Sequence, residues 1–214
     1  WHSEGRIQSA EREELVPAAK SDCRPEKILL LGDPALRETS RPVDDFASPG
    51  FREDSRRLLS ALEQFRREHG FGRAIAAPQI GIQRRMIAMN LGEGPFLLVN
   101  PEWIAKSDRQ FTLWDDCMSF PWLMVRLKRF GEIEARFCDT DGKPQHWETV
   151  EPAVAELLQH EIDHLDGILA VDRALDRNAV VARDLYRERR EFFDRQVDYT
   201  IVPTIRASSG TEAG

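Results

Sequence analysis

The segment from Pro152 to Gly167 constrains this chain more than any other, because it reads as a core helix that must also hold two histidines one turn apart. Val154, Leu157, Leu158, Ile162 and Leu165 recur at three- and four-residue spacing, Pro152 suits a first turn and Gly167 a stop. Inside it His160, Glu161 and His164 form an H-E-x-x-H pattern. Histidines four apart project from one helical face, so both rings can converge on one cation while Glu161 points to its open side. The blander reading is a helix whose histidines merely cap or hydrogen-bond; five histidines in 214 residues make the pattern a poor candidate for coincidence.

A catalytic site with two histidines needs a third protein ligand and a position open to water. One metallopeptidase class extends the motif as H-E-x-x-H-x-x-G-x-x-H; Gly167 fits, but Ala170 occupies the last position, which excludes that class. A second class takes a glutamate from a later helix, for which Glu188 and Glu191 are available in a stretch that otherwise resembles a solvated face. A cysteine thiolate is the remaining option. Cys117 is the strongest of three, lying in Trp114-Asp115-Asp116-Cys117-Met118-Ser119, whereas Cys138 sits in a strand pattern and Cys23 in a tail. Taken alone, Cys117 reads equally well as a buried apolar cysteine.

The remainder of the chain predicts an α+β architecture, with antiparallel β-sheets packed around the central helix that carries the motif. Phe51 to His69 has helical periodicity and Gly70 stands where it would stop. Met86 to Met89 and Phe96 to Val99 read as paired strands across a turn at Gly92, Glu93 and Gly94, and Met124 to Phe130 with Glu132 to Cys138 as a second strand group. Asp141 and Gly142 signal a hairpin before the polar stretch Lys143 to Glu148, and Ala179 to Tyr199 predicts an evenly charged C-terminal helix. Residues 1–24 are expected to form a flexible N-terminal extension, 25–200 a single catalytic domain and 201–214 a tail.

A net charge of -7 with no basic stripe argues against direct nucleic-acid binding. No apolar run approaches a membrane span, and three cysteines without framework spacing, together with the lack of a signal pattern, point to a reducing compartment, the cytoplasm. The tryptophans Trp103, Trp114, Trp122 and Trp147 read as core or rim packing, and the arginines from Arg183 to Arg195 as a solvated face.

Three separated segments together resemble peptide deformylases. Gln159-His160-Glu161-Ile162-Asp163-His164-Leu165-Asp166-Gly167 reproduces that family's helix motif without a mismatch, Gly72 to Gln79 is similar to its G-x-G-x-A-A-x-Q segment, and Asp115 to Ser119 to its E-G-C-L-S segment. Their order and separations agree over residues 28–175. The resemblance implies that Cys117, His160 and His164 hold a divalent metal, that Glu161 is general base and acid, and that Gln79 and the backbone N–H of Met118 stabilise the oxyanion. It also implies ferrous iron, with zinc, nickel or cobalt as alternatives. The implied substrate is an N-formylmethionyl peptide or nascent chain, met near the ribosome in protein biosynthesis and N-terminal methionine processing. Alternatives in other classes are a small-molecule deformylase, a zinc peptidase using Glu188 or Glu191, and a catalytically silent metal-binding relative.

The departures fall beside the reacting centre. Ala74 stands for a family glycine, Asp115 and Asp116 for a glutamate and a glycine, and Arg73 for an aliphatic residue. Since those glycines let substrate backbone pair like an added strand, Gly72, Arg73, Ala74 and Asp116 are the expected substrate-binding positions. An alternative alignment through Gly70 and Gly72 restores both glycines at the expense of a two-residue insertion.

Overall fold

In the computed structural model, residues 26–201 are described. The expected N-terminal extension, Cys23 and the tail beyond Ile201 lie outside that range.

Helix α1 (Pro49–His69) is capped by Ser48, whose hydroxyl accepts from the N–H of Phe51 at 3.2 Å, and ends at Gly70 as the sequence predicts. Strands β1 (Ala74–Ala76), β2 (Met86–Asn90), β3 (Pro95–Lys106), β6 (Ile133–Cys138) and β7 (Pro144–Val150) form a five-stranded antiparallel sheet in the order β1-β2-β3-β6-β7. Strands β4 (Gln110–Asp115), β5 (Leu123–Phe130) and β8 (Val180–Ala182) form a second sheet in the order β4-β5-β8. Helix α2 (Pro152–Leu165) packs against β1 of the first sheet and β5 of the second. The architecture is α+β.

Strands β1, β2 and β3 read as apolar runs because both faces are covered. Ala74, Ala76, Ile87, Met89 and Leu98 face α2, and Ile75, Met86, Ala88, Leu97 and Val99 face α1. The alternation places β1 at the sheet's edge with helices above and below it, beside the motif helix. From Ala155 to Leu165 every residue of α2 is buried, so the helix is central rather than amphipathic. Its polar residues must find partners inside the protein, and that requirement shapes the site.

Two expectations are corrected. Met124 to Phe130 and Glu132 to Cys138 are strands, but they belong to different sheets: at Gly131, whose N–H donates to Arg109 O at 2.8 Å, the chain crosses from one sheet to the other. The stretch Ala179 to Tyr199 is not one helix. Val180–Ala182 pairs with β5, and α3 (Arg183–Glu188) and α4 (Arg190–Asp194) are separate short helices broken at Arg189. The β-branched pair Val180 and Val181 favours the strand, and the indole of Trp114 fixes α4 by donating to Phe193 O at 2.9 Å. The polar stretch after the Asp141–Gly142 turn is the exposed strand β7, an edge strand on which a polar sequence is expected. Trp103, Trp114 and Trp147 pack against neighbouring aromatic rings, while Trp122 is exposed. No described helix is long and apolar enough to cross a membrane.

Candidate metal centre

Because α2 is buried along its length, its histidines face the interior, and His160 also borders a cleft. His160 and His164 bring their Nε2 atoms to 3.2 Å, and the Sγ of Cys117 lies 3.2 Å from Nε2 of His164. Cys117 arrives from the turn that leaves β4, where Phe120 N–H closes on Cys117 O at 3.2 Å. Among the described residues these three form the group that could hold a metal ion, their donor atoms all within 4.8 Å of one another. Tetrahedral ligands at ordinary Zn–N and Zn–S bond lengths are separated by about 3.3–3.6 Å, so the donor set fits a first-row divalent cation. Glu188 and Glu191 are exposed on the C-terminal helices and take no part.

The ring of His160 is oriented from behind. Its Nδ1 lies 2.9 Å from Oδ2 of Asp115, a carboxylate at the end of β4 that also accepts from Arg129 at 3.2 Å. Burial opposes ionisation of Asp115, but His160 and Arg129 outweigh it and bring its pKa down to about 2. An ionised carboxylate only accepts, which fixes the His160 proton on Nδ1 and turns the Nε2 lone pair towards the donor cluster. Arg129 in turn donates to Asp163 at 2.6 Å, and Arg173 donates to the same carboxylate at 2.5 Å. Burial disfavours charge on both histidines; it carries His164 well below its ordinary value, whereas Asp115 and the Cys117 sulfur hold His160 well above.

Glu161 is buried, its Oε2 has no hydrogen-bond partner, and burial pushes its pKa up to about 7. Gln79 is held with its amide in one sense. Its Oε1 accepts from Ala76 N–H at 2.9 Å, and Nε2 donates to Ser119 Oγ at 3.2 Å, lying 3.6 Å from Cys117 Sγ. Gln79, Cys117, Met118, His160 and Glu161 line one cleft of about 360 Å³.

Every expected substrate-binding position borders that cleft, namely Gly72, Arg73, Ala74 and Asp116. Gly70 ends α1 and is absent from the lining, which favours the ungapped alignment. Gly72 has φ +119°, and a Cβ there would meet Met118 Cε at 2.9 Å and Phe65 Cδ1 at 3.0 Å. Only glycine fits. Asp116 accepts from Arg183 at 2.5 Å; Arg183, expected on a solvated face, is instead 12% exposed on the cleft wall with its guanidinium over Phe71. Two charged contributors were not foreseen. Glu156 lies four residues before His160 on the same helical face, a spacing that could have flagged it, whereas Arg129 comes from an ordinary-looking strand and carried no signal.

The polypeptide deformylase family model matches residues 25–179. The chain belongs to that family. A peptide deformylase of Heliobacterium modesticaldum is 38% identical over 152 residues, covering 71% of this chain and 95% of the relative. The crystal structure of peptide deformylase from Thermotoga maritima superposes with a TM-score of 0.65 at 31% identity, covering 72% of this chain and 99% of that one. The structure from Synechococcus elongatus in complex with actinonin gives 0.65 at 27% identity, covering 83% and 90%. The protein is thus a divergent member of a family of metal-dependent hydrolases, and the silent-relative and peptidase alternatives are not favoured.

Proposed function

We propose that the domain spanning residues 25–200 removes the formyl group from N-formylmethionyl peptides and releases formate, with Cys117, His160 and His164 holding the metal. The observation that carries this reading is the clustering of those three donors within 4.8 Å of one another, with Cys117, His160, Glu161 and the fixed amide of Gln79 lining one cleft. A divalent cation bound there supplies Lewis acidity and makes a water molecule acidic enough to lose a proton near neutral pH. Glu161, held near neutrality by burial, takes that proton and later delivers it to the leaving amine. The Gln79 Nε2–H and the Met118 backbone N–H stabilise the negative charge that develops on the formyl oxygen. β1, at the edge of its sheet, offers its outer edge to an extended peptide, so Gly72 and Ala74 would pair with substrate backbone.

Ferrous iron is the favoured metal, with zinc, nickel or cobalt as alternatives, because a Cys-His-His set by itself does not rank them. A nascent-chain substrate would place the enzyme in the cytoplasm near the ribosome. Formate release from formyl-Met-Ala-Ser by anaerobically prepared protein tests the proposal. Glu161→Gln should lower the rate by about 10²–10⁴-fold, the usual contribution of a positioned acid–base group. Equal rates for the two proteins would overturn it.

A further inference from the structure

Helices α3 and α4 sort their charges by side. Arg183, Arg187 and Arg190 line the reaction cleft, whereas Asp184, Glu188 and Glu191 of the same helices do not. Steps of four and then three residues return to one helical face, so the three arginines share a wall although the helix breaks at Arg189. The wall is anchored. Tyr186 donates to Asp194 Oδ1 at 2.6 Å and Arg190 to Oδ2 at 3.2 Å, while the rings of Trp114 and Tyr186 pack on Phe193 at centroid distances of 5.2 and 5.7 Å.

Among the described residues, these three cations share their part of the cleft with two carboxylates. Asp116 accepts from Arg183, and Asp194 is shared by Arg190 and Tyr186. Arg187 approaches Asp184 at 3.7 Å, but that carboxylate is 97% exposed, where water and salt screen it. Deeper in the cleft, Asp115 and Glu156 have guanidinium groups of their own in Arg129 and Arg73. In a chain with a net charge of -7 the outer wall is therefore a local excess of positive charge.

Resting on the deformylase reading, we infer that this wall receives the third and fourth residues of the formylated peptide and favours acidic side chains there. The formyl group lies by Gln79, beyond the C-terminal end of β1, so a peptide paired with the outer edge of β1 runs back past Ala74 and Gly72. Paired strands advance together, by about 3.3 Å per residue. With the first residue opposite Ala74, the third comes level with Gly72 and the fourth with Phe71. The Arg183 guanidinium stands over the Phe71 ring, 5.6 Å from its centre, and Arg187 follows one helical turn later. Next to Gly72 itself are Phe65 and Met118, both apolar, which leaves discrimination by charge to the arginines. A carboxylate arriving there accepts from a planar guanidinium through both oxygens, and the Arg187 side chain, 63% exposed, has room to turn towards it. An ammonium group is repelled.

The test measures kcat/KM for formyl-Met-Ala-Asp-Asp amide, the Asn-Asn peptide and the Lys-Lys peptide, the amide removing the terminal carboxylate. An exposed ion pair shifts an equilibrium by up to about fivefold, and replacing acid by lysine turns attraction into repulsion. At about 0.02 M salt Asp-Asp should therefore exceed Lys-Lys by at least about fivefold, with Asn-Asn between them, and the ratio should contract at about 0.5 M salt. Arg187→Glu/Arg190→Glu, which alters side chains 63% and 64% exposed, should bring the low-salt ratio to about one or below. Ratios within one protein do not depend on its folded or metal-loaded fraction. Should the variant fail to fold, the wild-type ratio and its salt dependence still decide. A wild-type ratio below about fivefold at low salt, Asn-Asn outside the interval between the other two, or a ratio that salt or charge reversal leaves undiminished overturns the inference, while formate release leaves the deformylase reading standing. Formate from none of the three peptides overturns both.

Discussion

Helix α2 carries two groups of buried charge, one behind the metal donors and one in front of them. Behind His160, Asp115, Arg129, Asp163 and Arg173 form a chain in which the carboxylates are shared between cationic or imidazole partners. In front, Arg73 and Glu156 have each other and one backbone carbonyl. Burial is nearly the same, for Asp115 and Arg129 behind and Glu156 in front. The difference lies in what each group faces. The group behind fixes an orientation, that of the His160 ring, even with Arg129 Nε buried without a partner, whereas the pair in front lines the cleft.

Removing the donor set itself should have the largest effect. Cys117→Ala takes away one of the three proposed ligands, and bound metal, measured by elemental analysis of anaerobically purified protein, should fall to background together with formate release. Retention of a full equivalent would place the third ligand elsewhere and break the comparison at its root. Next comes the network behind His160. Arg129→Met leaves Asp115 and Asp163 buried with fewer partners, and loss of one member of such a group costs about 3–5 kcal/mol. Urea unfolding of the metal-free protein would register this as a lower midpoint; a change under about 0.5 kcal/mol, the level of an ordinary surface substitution, would show that the network bears little of the stability. Asp115→Asn keeps the shape and removes the charge that fixes the His160 tautomer. Metal affinity should drop by about 10–100-fold, with folding less affected than in the Arg129 variant.

The same contrast governs what could be read before any coordinates. The metal face of α2 was legible because periodicity and spacing are local: Pro152, the apolar repeat, the two histidines and Gly167 are consecutive text. Cys117 was not, since a lone cysteine reads equally as packing until its turn is placed beside the helix; only its similarity to a known segment chose it. Arg129 and Glu156 acquire meaning only from tertiary contact, and β5 and β6 could not be assigned to different sheets from adjacent apolar runs. Arg183 was misread for the same reason, because an arginine among alternating charges is solvated unless Asp116 and Phe71 happen to face it. Whether 179–199 would be one helix was likewise decided by pairing with β5 and by the Trp114 indole.

The smallest expected effect tests the front pair through folding rather than turnover. Burial raises Glu156 from its ordinary 4.5 to about 7, against the pull of Arg73. The folded protein therefore binds this proton more tightly than the unfolded chain does, and stability contributed by the group is complete below about pH 4.5 and is lost as pH rises through about 7. Glu156→Gln keeps the side chain's shape and has no proton to lose, so its stability lacks this component. The stability of wild type minus that of Glu156→Gln, from urea midpoints across that window, should decline with pH. A difference that climbs instead would mean that Arg73 holds Glu156 ionised throughout, so that the front pair is as fully charged as the network behind His160.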